Sequence, residues 1–307
     1  MESNLFTVII CCYNGESRIA SVLDKIYDQK NLEKYVYEII VVDNHSTDST
    51  KQVIMRYTDE EARIPLRYIY EDKCGLSNAR RAGVEACHSE WIVFFDDDNH
   101  IQKNWFEEMW RYISVNNRIG IVNGGVVPEI SFNMTKDELL RLKVSLKVLA
   151  CTHFNEEELI DHPVTPFRNP IGAGMVIRCA PLKKLLENGW LSSPGRTKGE
   201  LTSGEDGEMA FYVKEQGYDF GFCSKAILYH EISRVRLQDD YLKKIWFEIG
   251  RGVALVIKKQ RMHTIKSIGY NIILEIRRRR FIRDKENMYK ERYYSEYIRG
   301  YKYEWKN

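Results

Sequence analysis

Two rhythms of apolar and polar positions alternate along the first hundred residues. Residues 6–12 (FTVIICC) form an unbroken, β-branched apolar run with the length of a strand buried on both faces. Tyr13, Asn14 and Gly15 interrupt it. Ile19, Val22, Leu23 and Ile26 then recur at helical spacing within residues 17–28. The cycle repeats with a strand predicted over 37–42 (YEIIVV), followed by Asp43, Asn44, His45 and Ser46, residues of cap type that open a helix toward Tyr57. A weaker strand over 66–70, an Ala-rich helix over 76–86 and a strand over 91–95 (WIVFF) follow, and the last of these stops at Asp96-Asp97-Asp98. Alternation of this kind predicts βαβ units and a mostly parallel sheet flanked by helices.

The second half is patterned less regularly. Strands are predicted over 119–127, over 171–178 (IGAGMVIR) and over 226–229, the last ending at His230. Helices are predicted over 135–148 and 205–216, and residues 192–204, rich in Ser, Gly and Pro, read as a mobile loop between them. From Asp239 onward, Tyr241, Leu242, Ile245, Trp246, Ile249, Val253 and Val256 mark a long helical stripe. Residues 1–238 therefore read as an α/β domain and 239–307 as a helical extension.

Charge sharpens that division. The net charge is +2 over 307 residues, yet residues 251–307 carry sixteen Lys/Arg against six Asp/Glu, which is +10 and leaves −8 for the rest. Arg277, Arg278, Arg279, Arg280 and Arg283 follow Ile268, Ile272, Ile273 and Ile276, a mixture suited to an anionic lipid surface. A solvated helix packed on the body or on a second subunit is the equal alternative. No nucleic-acid-binding module is visible, so no nucleic-acid partner is expected. The seven cysteines are odd in number and lack C-x-x-C spacing, which suggests reduced, buried thiols. No apolar run reaches the roughly 18 residues of a membrane span. The expectation is a cytoplasmic protein, with peripheral attachment to the inner face of the membrane left open.

Ligands of open α/β sheets sit beyond the carboxyl ends of the strands. Tyr13, Asp43, the run Asp96-Asp97-Asp98 and His230 all fall at predicted strand ends. In an extended segment Asp96 and Asp98 point to one side and Asp97 to the other. Clustered carboxylate oxygens suit Mg²⁺ or Mn²⁺, which also take phosphate oxygens, although a solvated acidic turn has the same sequence. Glu205 and Asp206 open a helix after the Gly-rich loop. They are either dipole-favoured acids or a general base beside a closing loop. His230 is either an ordinary polar residue or a metal ligand, Asp43 could be an N-cap, and Tyr13 could be core. Arg234 and Arg236 are either surface charges or a diphosphate clamp.

Taken in order, VIICCYN, EIIVVDNHSTDST, CGLSNARRAG, WIVFFDDDN, GAGMVIR, GEDGEMAFYVKEQGYDFGF and ILYHE resemble glycosyltransferase family 2 over about residues 7–252. The resemblance implies the GT-A fold and inverting transfer of a sugar from a nucleotide-diphosphate donor to a glycan or lipid-linked acceptor, in polysaccharide or glycolipid assembly. It further implies Tyr13 and Asp43 at the nucleobase, with Arg80 supporting that pocket. Asp96, with Asp97 and Arg236, would lie by the donor, Asp98 and His230 would hold Mn²⁺ or Mg²⁺, Asp206 would be the base and Glu205 its support. Cys11-Cys12, His45 and Arg81 depart from the residues common in the family. A sugar nucleotidyltransferase would need a Gly-rich phosphate loop with a basic residue after the first strand, and Tyr13-Asn14-Gly15-Glu16 lacks both. A sugar-nucleotide-binding protein or membrane adaptor without turnover would not need Asp98, Asp206 and His230 together.

Overall fold

The apolar runs become the centre of one eight-stranded sheet. The computed structural model describes residues 6–58, 63–161, 170–191, 195–197, 201, 203–259 and 285–306. The strands are β1 (Phe6–Cys12), β2 (Val36–Asp43), β3 (Leu66–Tyr70), β4 (Trp91–Asp96), β5 (Asn99–Ile101), β6 (Ile119–Glu129), β7 (Met175–Arg178) and β8 (Asp219–Glu231). They lie in the order β3-β2-β1-β4-β7-β6-β8-β5. β3, β2, β1 and β4 are parallel, β7 runs against both β4 and β6, β8 follows β6, and β5 returns along β8. This register puts Cys12 beside Asp43, Cys11 beside Asp96, and His230 beside Asn99, so their polar ends gather at one edge.

The period of two explains why both faces are apolar. Val8, Ile10, Val41, Val93 and Phe95 point into one cluster, and Ile9, Ile40, Val42, Ile92 and Phe94 into the other. Helices α1 (Ile19–Tyr27), α2 (Leu32–Tyr35), α3 (Thr50–Met55), α4 (Leu76–Ala86), α5 (Trp105–Ser114), α6 (Lys136–Ser145), α7 (Glu156–Asp161), α8 (Cys179–Glu187) and α9 (Glu205–Glu215) flank the sheet, with α10 (Asp239–Lys259) and α11 (Lys285–Lys306) beyond. α1, α3 and α5 cover the first face, while α4, α8 and α9 cover the second. The start of α6 is fixed by a capping box, in which Glu138 N–H donates to Thr135 Oγ1 at 3.2 Å and Thr135 N–H to Glu138 Oε2 at 2.7 Å.

Three expectations change. The strand expected over 171–178 begins only at Met175, because the Asn123 amide donates to the carbonyls of Ile171 and Ala173, and Gly174 turns the chain at φ +65°. The short strand expected over 226–229 is the end of the 13-residue β8. Asp43 does not cap a helix: its Oδ1 accepts the Ser46 N–H at 2.9 Å in a local turn, and Asp48 takes the Thr50 N–H at 3.0 Å where α3 begins. All seven cysteines are free, but Cys74 is exposed and Cys11 partly so.

Packing is continuous across residue 238. Leu242 and Ile245 of α10 and Tyr289 and Tyr293 of α11 belong to the same cluster as the strands. α11 lies along α10 in the same direction, with Arg292 on Asp239 and Arg251 on Glu304. The basic run at 277–283 lies outside the described residues, as do 192–194, 198–200 and 202 of the expected loop. No described helix is long and apolar enough to cross a membrane.

Candidate active site

The loop after β1 is fastened to the turn after β2. Gly15 N–H donates to Thr50 Oγ1 at 2.8 Å, and Thr47 N–H to Asn14 Oδ1 at 2.8 Å. Gly15 must lack a side chain, since a Cβ there would stand 2.6 Å from Asp97 Oδ2 and 2.3 Å from Cys12 Sγ. Asn44 holds the next loop, accepting the Gly75 N–H at 2.7 Å and donating to Lys73 O at 2.8 Å. The loop at 195–197 joins through Leu76 N–H to Arg196 O at 2.9 Å. Together these segments bound a pocket of about 250 Å³ lined by Tyr13, Asn44, Gly75, Asp96, Asp98 and Arg236, among others.

The three aspartates do different work. β4 ends at Asp96, and Asn99 Oδ1 accepts its N–H at 3.0 Å, closing a tight turn. Asp97 points away from its neighbours onto Arg18 Nη2 at 2.7 Å and the Cys12 thiol at 3.3 Å. Burial, and then the charge of Asp98, raise Asp97 to about 6, with Arg18 pulling the other way. Asp96 is raised for the same two reasons. Asp98 is buried as well, but His230 and Arg236 overcome that penalty and hold it well below the carboxylate range.

His230 Nδ1 lies 2.8 Å from Leu149 O and can only donate there. Its Nε2 faces Asp98 Oδ1 at 3.3 Å and Arg236 Nη1 at 2.9 Å, while Arg236 Nη2 reaches Asp98 Oδ2 at 2.7 Å. Burial lowers the histidine and Asp98 raises it, with a net rise to about 10. The Arg236 contact asks the opposite: an arginine N–H aimed at Nε2 needs a lone pair there. A ring that accepts this N–H is the neutral Nδ1–H tautomer, whereas a ring protonated on both nitrogens directs Nε2–H at Asp98 Oδ1. A divalent cation wants that same lone pair together with an Asp98 oxygen, with the far ring N–H held by a carbonyl. Asp98 and His230 therefore fit such an ion. No group of three or more His, Cys, Asp or Glu with metal-ligand geometry exists among the described residues. Two protein ligands match the way Mg²⁺-like ions bind with substrate phosphates.

A larger cavity of about 710 Å³ adjoins the first and shares Leu76, Asp96 and Arg196 with it. Asp206 opens into it from the first turn of α9, with its side chain 30% exposed. The Gly172 N–H donates to Asp206 Oδ2 at 2.8 Å, and the buried Arg80 grips Oδ1. Arg80 also lies 3.5 Å from Glu205 Oε1 and stacks over Phe94 at 5.4 Å. Glu205 is buried, its Oε2 has no hydrogen-bond partner among the described residues, and burial followed by the charge of Asp206 raise it to about 7 against the pull of Arg80.

The structure thus brings Tyr13, Asp96, Asp97, Asp98 and Arg236 around one pocket, with His230 behind Asp98 and Arg236, and Arg80, Glu205 and Asp206 around its neighbour. Arg80, expected to support the nucleobase pocket, reaches the acids at the start of α9 and lines the larger cavity. Asp43 is buried, with its second oxygen accepting from Tyr68 Oη at 2.8 Å, and it borders a separate pocket with Lys51 and Tyr70. Arg234 turns away, donating to Asn133 O at 2.7 Å over the Phe132 ring. Arg18, Asn44 and Arg196 were not foreseen. Asn44 follows Asp43 directly and could have been weighed with it, whereas nothing local in the sequence marks Arg196.

A sheet with four parallel strands, carboxylates at its edge and two adjoining pockets is the architecture of the GT-A class. The family model for glycosyl transferase family 2 matches residues 7–184, more than half of the chain, and the protein belongs to that family of glycosyltransferases. Over 143 residues it is 27% identical to the poly(ribitol-phosphate) beta-N-acetylglucosaminyltransferase TarS of Staphylococcus aureus, covering 45% of this chain and 25% of TarS. The chain thus spans about a quarter of that relative's length. The crystal structure of S. aureus TarS 1-349 in complex with UDP-GlcNAc superposes with a TM-score of 0.55 at 16% identity, covering 96% of this chain and 81% of that one. The mannosyltransferase PcManGT from Pyrobaculum calidifontis in complex with GDP-Man and Mn²⁺ gives 0.56 at 17%, covering 84% and 64%. At such identities the likeness establishes the fold.

Proposed function

We propose that the protein is a metal-dependent, inverting glycosyltransferase that moves a sugar from a nucleotide-diphosphate sugar to an acceptor hydroxyl in cell-surface polysaccharide or glycolipid assembly. One observation carries this reading: Asp206 stands in the cavity that shares Leu76, Asp96 and Arg196 with the aspartate-lined pocket, so one carboxylate faces the junction of two substrates. The smaller pocket takes the donor, with Tyr13 toward the nucleobase and Asp96 and Arg236 toward the sugar and diphosphate. Asp97 lines it directly while holding Arg18, and Asp43 acts from outside it through the turn at Ser46.

Asp206 accepts the acceptor's proton as that oxygen attacks the anomeric carbon, and the nucleotide diphosphate departs from the opposite face. Arg80 and the Gly172 N–H hold the carboxylate in one orientation, leaving lone pairs for the incoming hydroxyl. Glu205 supports the same cluster. Asp98 and His230 would hold Mn²⁺ or Mg²⁺, which would supply positive charge against the negative charge growing on the leaving phosphate. The test is nucleotide release from UDP-, GDP- and dTDP-sugars with Mn²⁺ or with EDTA, for wild type and Asp98→Ala. Release from one donor, lost with EDTA and in the variant, is the expected outcome. Release unaffected by both would overturn the metal assignment.

A further inference from the structure

Three arginines stand at or beside the smaller pocket, and two of them are committed. Arg18 is held on Asp97 at 2.7 Å, and Arg236 divides its nitrogens between His230 at 2.9 Å and Asp98 at 2.7 Å. Arg196 differs from both. It lines the smaller pocket and the larger cavity alike, is half-buried, and its guanidinium has no hydrogen bond or ion pair among the described residues. Its charge nevertheless reaches Asp96, Asp98 and Glu205, acids of both spaces, and favours the ionised form of each. The backbone beneath it is fixed. Arg196 O accepts the Leu76 N–H at 2.9 Å, which ties it to the first residue of α4. Gly195 has φ +68°, and a Cβ there would lie 3.0 Å from Ser77 N and 3.3 Å from Glu205 Cδ. The segment therefore lies against the starts of α4 and α9 together, at an approach that only glycine permits.

A half-buried guanidinium without an acceptor has lost part of its hydration and gained no hydrogen bond in exchange. Its planar fork matches the oxygens of a phosphate. Position selects which phosphate. Leu76, Asp96 and Arg196 mark the boundary between the smaller pocket and the cavity that holds Asp206. A sugar attacked by a hydroxyl at Asp206 must lie at that boundary. The phosphate that carries the sugar then comes within reach of Arg196, while the phosphate on the nucleoside lies deeper in the smaller pocket.

We infer that Arg196 binds the sugar-bearing phosphate of the donor and stays with it as the nucleotide diphosphate leaves. This assignment rests on the transferase reading and names one more residue that touches the donor. The probes are UDP with UMP, GDP with GMP, and dTDP with dTMP, titrated calorimetrically into the full chain. Mn²⁺ is present throughout, so its share of any preference within a pair is common to wild type and variants. For the pair that binds, wild type should favour the diphosphate by about tenfold or more, the scale of one hydrogen bond to a charged group. Arg196→Met should lower that preference by about tenfold. It should leave monophosphate affinity and far-ultraviolet circular dichroism unchanged. Arg196→Lys, which keeps the charge and loses the fork, should fall between the two. Equal weakening of both nucleotides in Arg196→Met would mark a disturbed loop and overturn the assignment. So would a diphosphate preference that survives the substitution, which would leave Arg196 to a phosphate entering through the larger cavity. The two failures are separable: wild type that binds no nucleotide overturns the transferase reading and this assignment with it, whereas nucleotide binding indifferent to Arg196 overturns the assignment alone.

Discussion

Arg80→Met should make the protein's stability sharply dependent on pH. The substitution keeps an apolar stem over Phe94 and removes the charge shared by Asp206 and Glu205. Stripping one partner from a buried ion pair costs about 3–5 kcal/mol. The Asp206 side chain is 30% exposed and partly screened by water, which sets the lower end, about 3 kcal/mol. At about 2–4 °C per kcal/mol for domains of 150–250 residues, the midpoint should fall by roughly 6–12 °C. Glu205 sets the pH dependence. Its carboxyl lies near 7, above the ordinary 4.5, because burial and then Asp206 oppose ionisation while Arg80 favours it. The folded chain keeps a proton that the unfolded chain has lost, so this contribution is complete below the unfolded value and disappears as pH rises through the folded one. Without Arg80 the folded value moves higher still and the loss continues above pH 7. The variant's deficit should be larger at pH 8.5 than at pH 5.5, by the share that ionised Glu205 adds to the loss at Asp206. Thermal unfolding of wild type and variant at both values measures this, and an equal loss of midpoint at the two would refute the claim that Arg80 stabilises ionised carboxylates there.

Two further outcomes test the site. Asp206→Asn should slow transfer by about 10²–10⁴-fold. Nucleotide-sugar affinity should be unchanged, because Asp206 borders the larger cavity and not the smaller; turnover near the wild-type rate would remove Asp206 as the base. Arg236→Met should free Asp98 Oδ2 and His230 Nε2 and tighten nucleotide-free Mn²⁺ binding about tenfold or more, since a hydrogen bond to a charged group is worth about 1.5–3 kcal/mol. Electron paramagnetic resonance of free Mn²⁺ reads this directly, and identical affinities would mean that Arg236 and the ion do not compete.

What could be read from the sequence were the elements whose signal is local. β1, β3 and α4 have the predicted bounds because each is a single run between turn residues. β5 is three residues long and exists only through its pairing with β8, so no periodicity announces it. α8 carries Pro181 in its first turn, where proline is tolerated but looks like a break. The site divides in the same way. Carboxylates after apolar strands could be placed at the ligand edge, since that edge follows from the strands alone. The partner of Asp206 could not, because Arg80 lies 126 residues away and meets it only after α4 and α9 pack on one face of the sheet. Arg18 on Asp97 and Arg236 on Asp98 are hidden for the same reason: they are joined across 79 and 138 residues.

Composition divides the chain at residue 238, but the packing links both sides to the acids that open α9. Gly204, immediately before Glu205, has φ +131°, and a Cβ there would lie 3.2 Å from Gly252 O. A Cβ on Gly252 would stand 2.1 Å from Ser203 O, so α10 crosses the start of α9 with backbone against backbone. α10 is seated in turn by α11: a Cβ on Gly250 would meet Tyr297 O at 2.0 Å, and one on Gly300 would meet Phe247 O at 1.9 Å. Glycines at these crossings admit one close approach and no side chain, which fixes the height of Asp206 above the cavity. The helix that positions the proposed base thus also presents Ile249, Val253, Val256 and Ile257 to whatever lies beside it. A displacement of α10 would therefore move Asp206 and this face of the larger cavity together, which ties the C-terminal helices to the geometry around the proposed base.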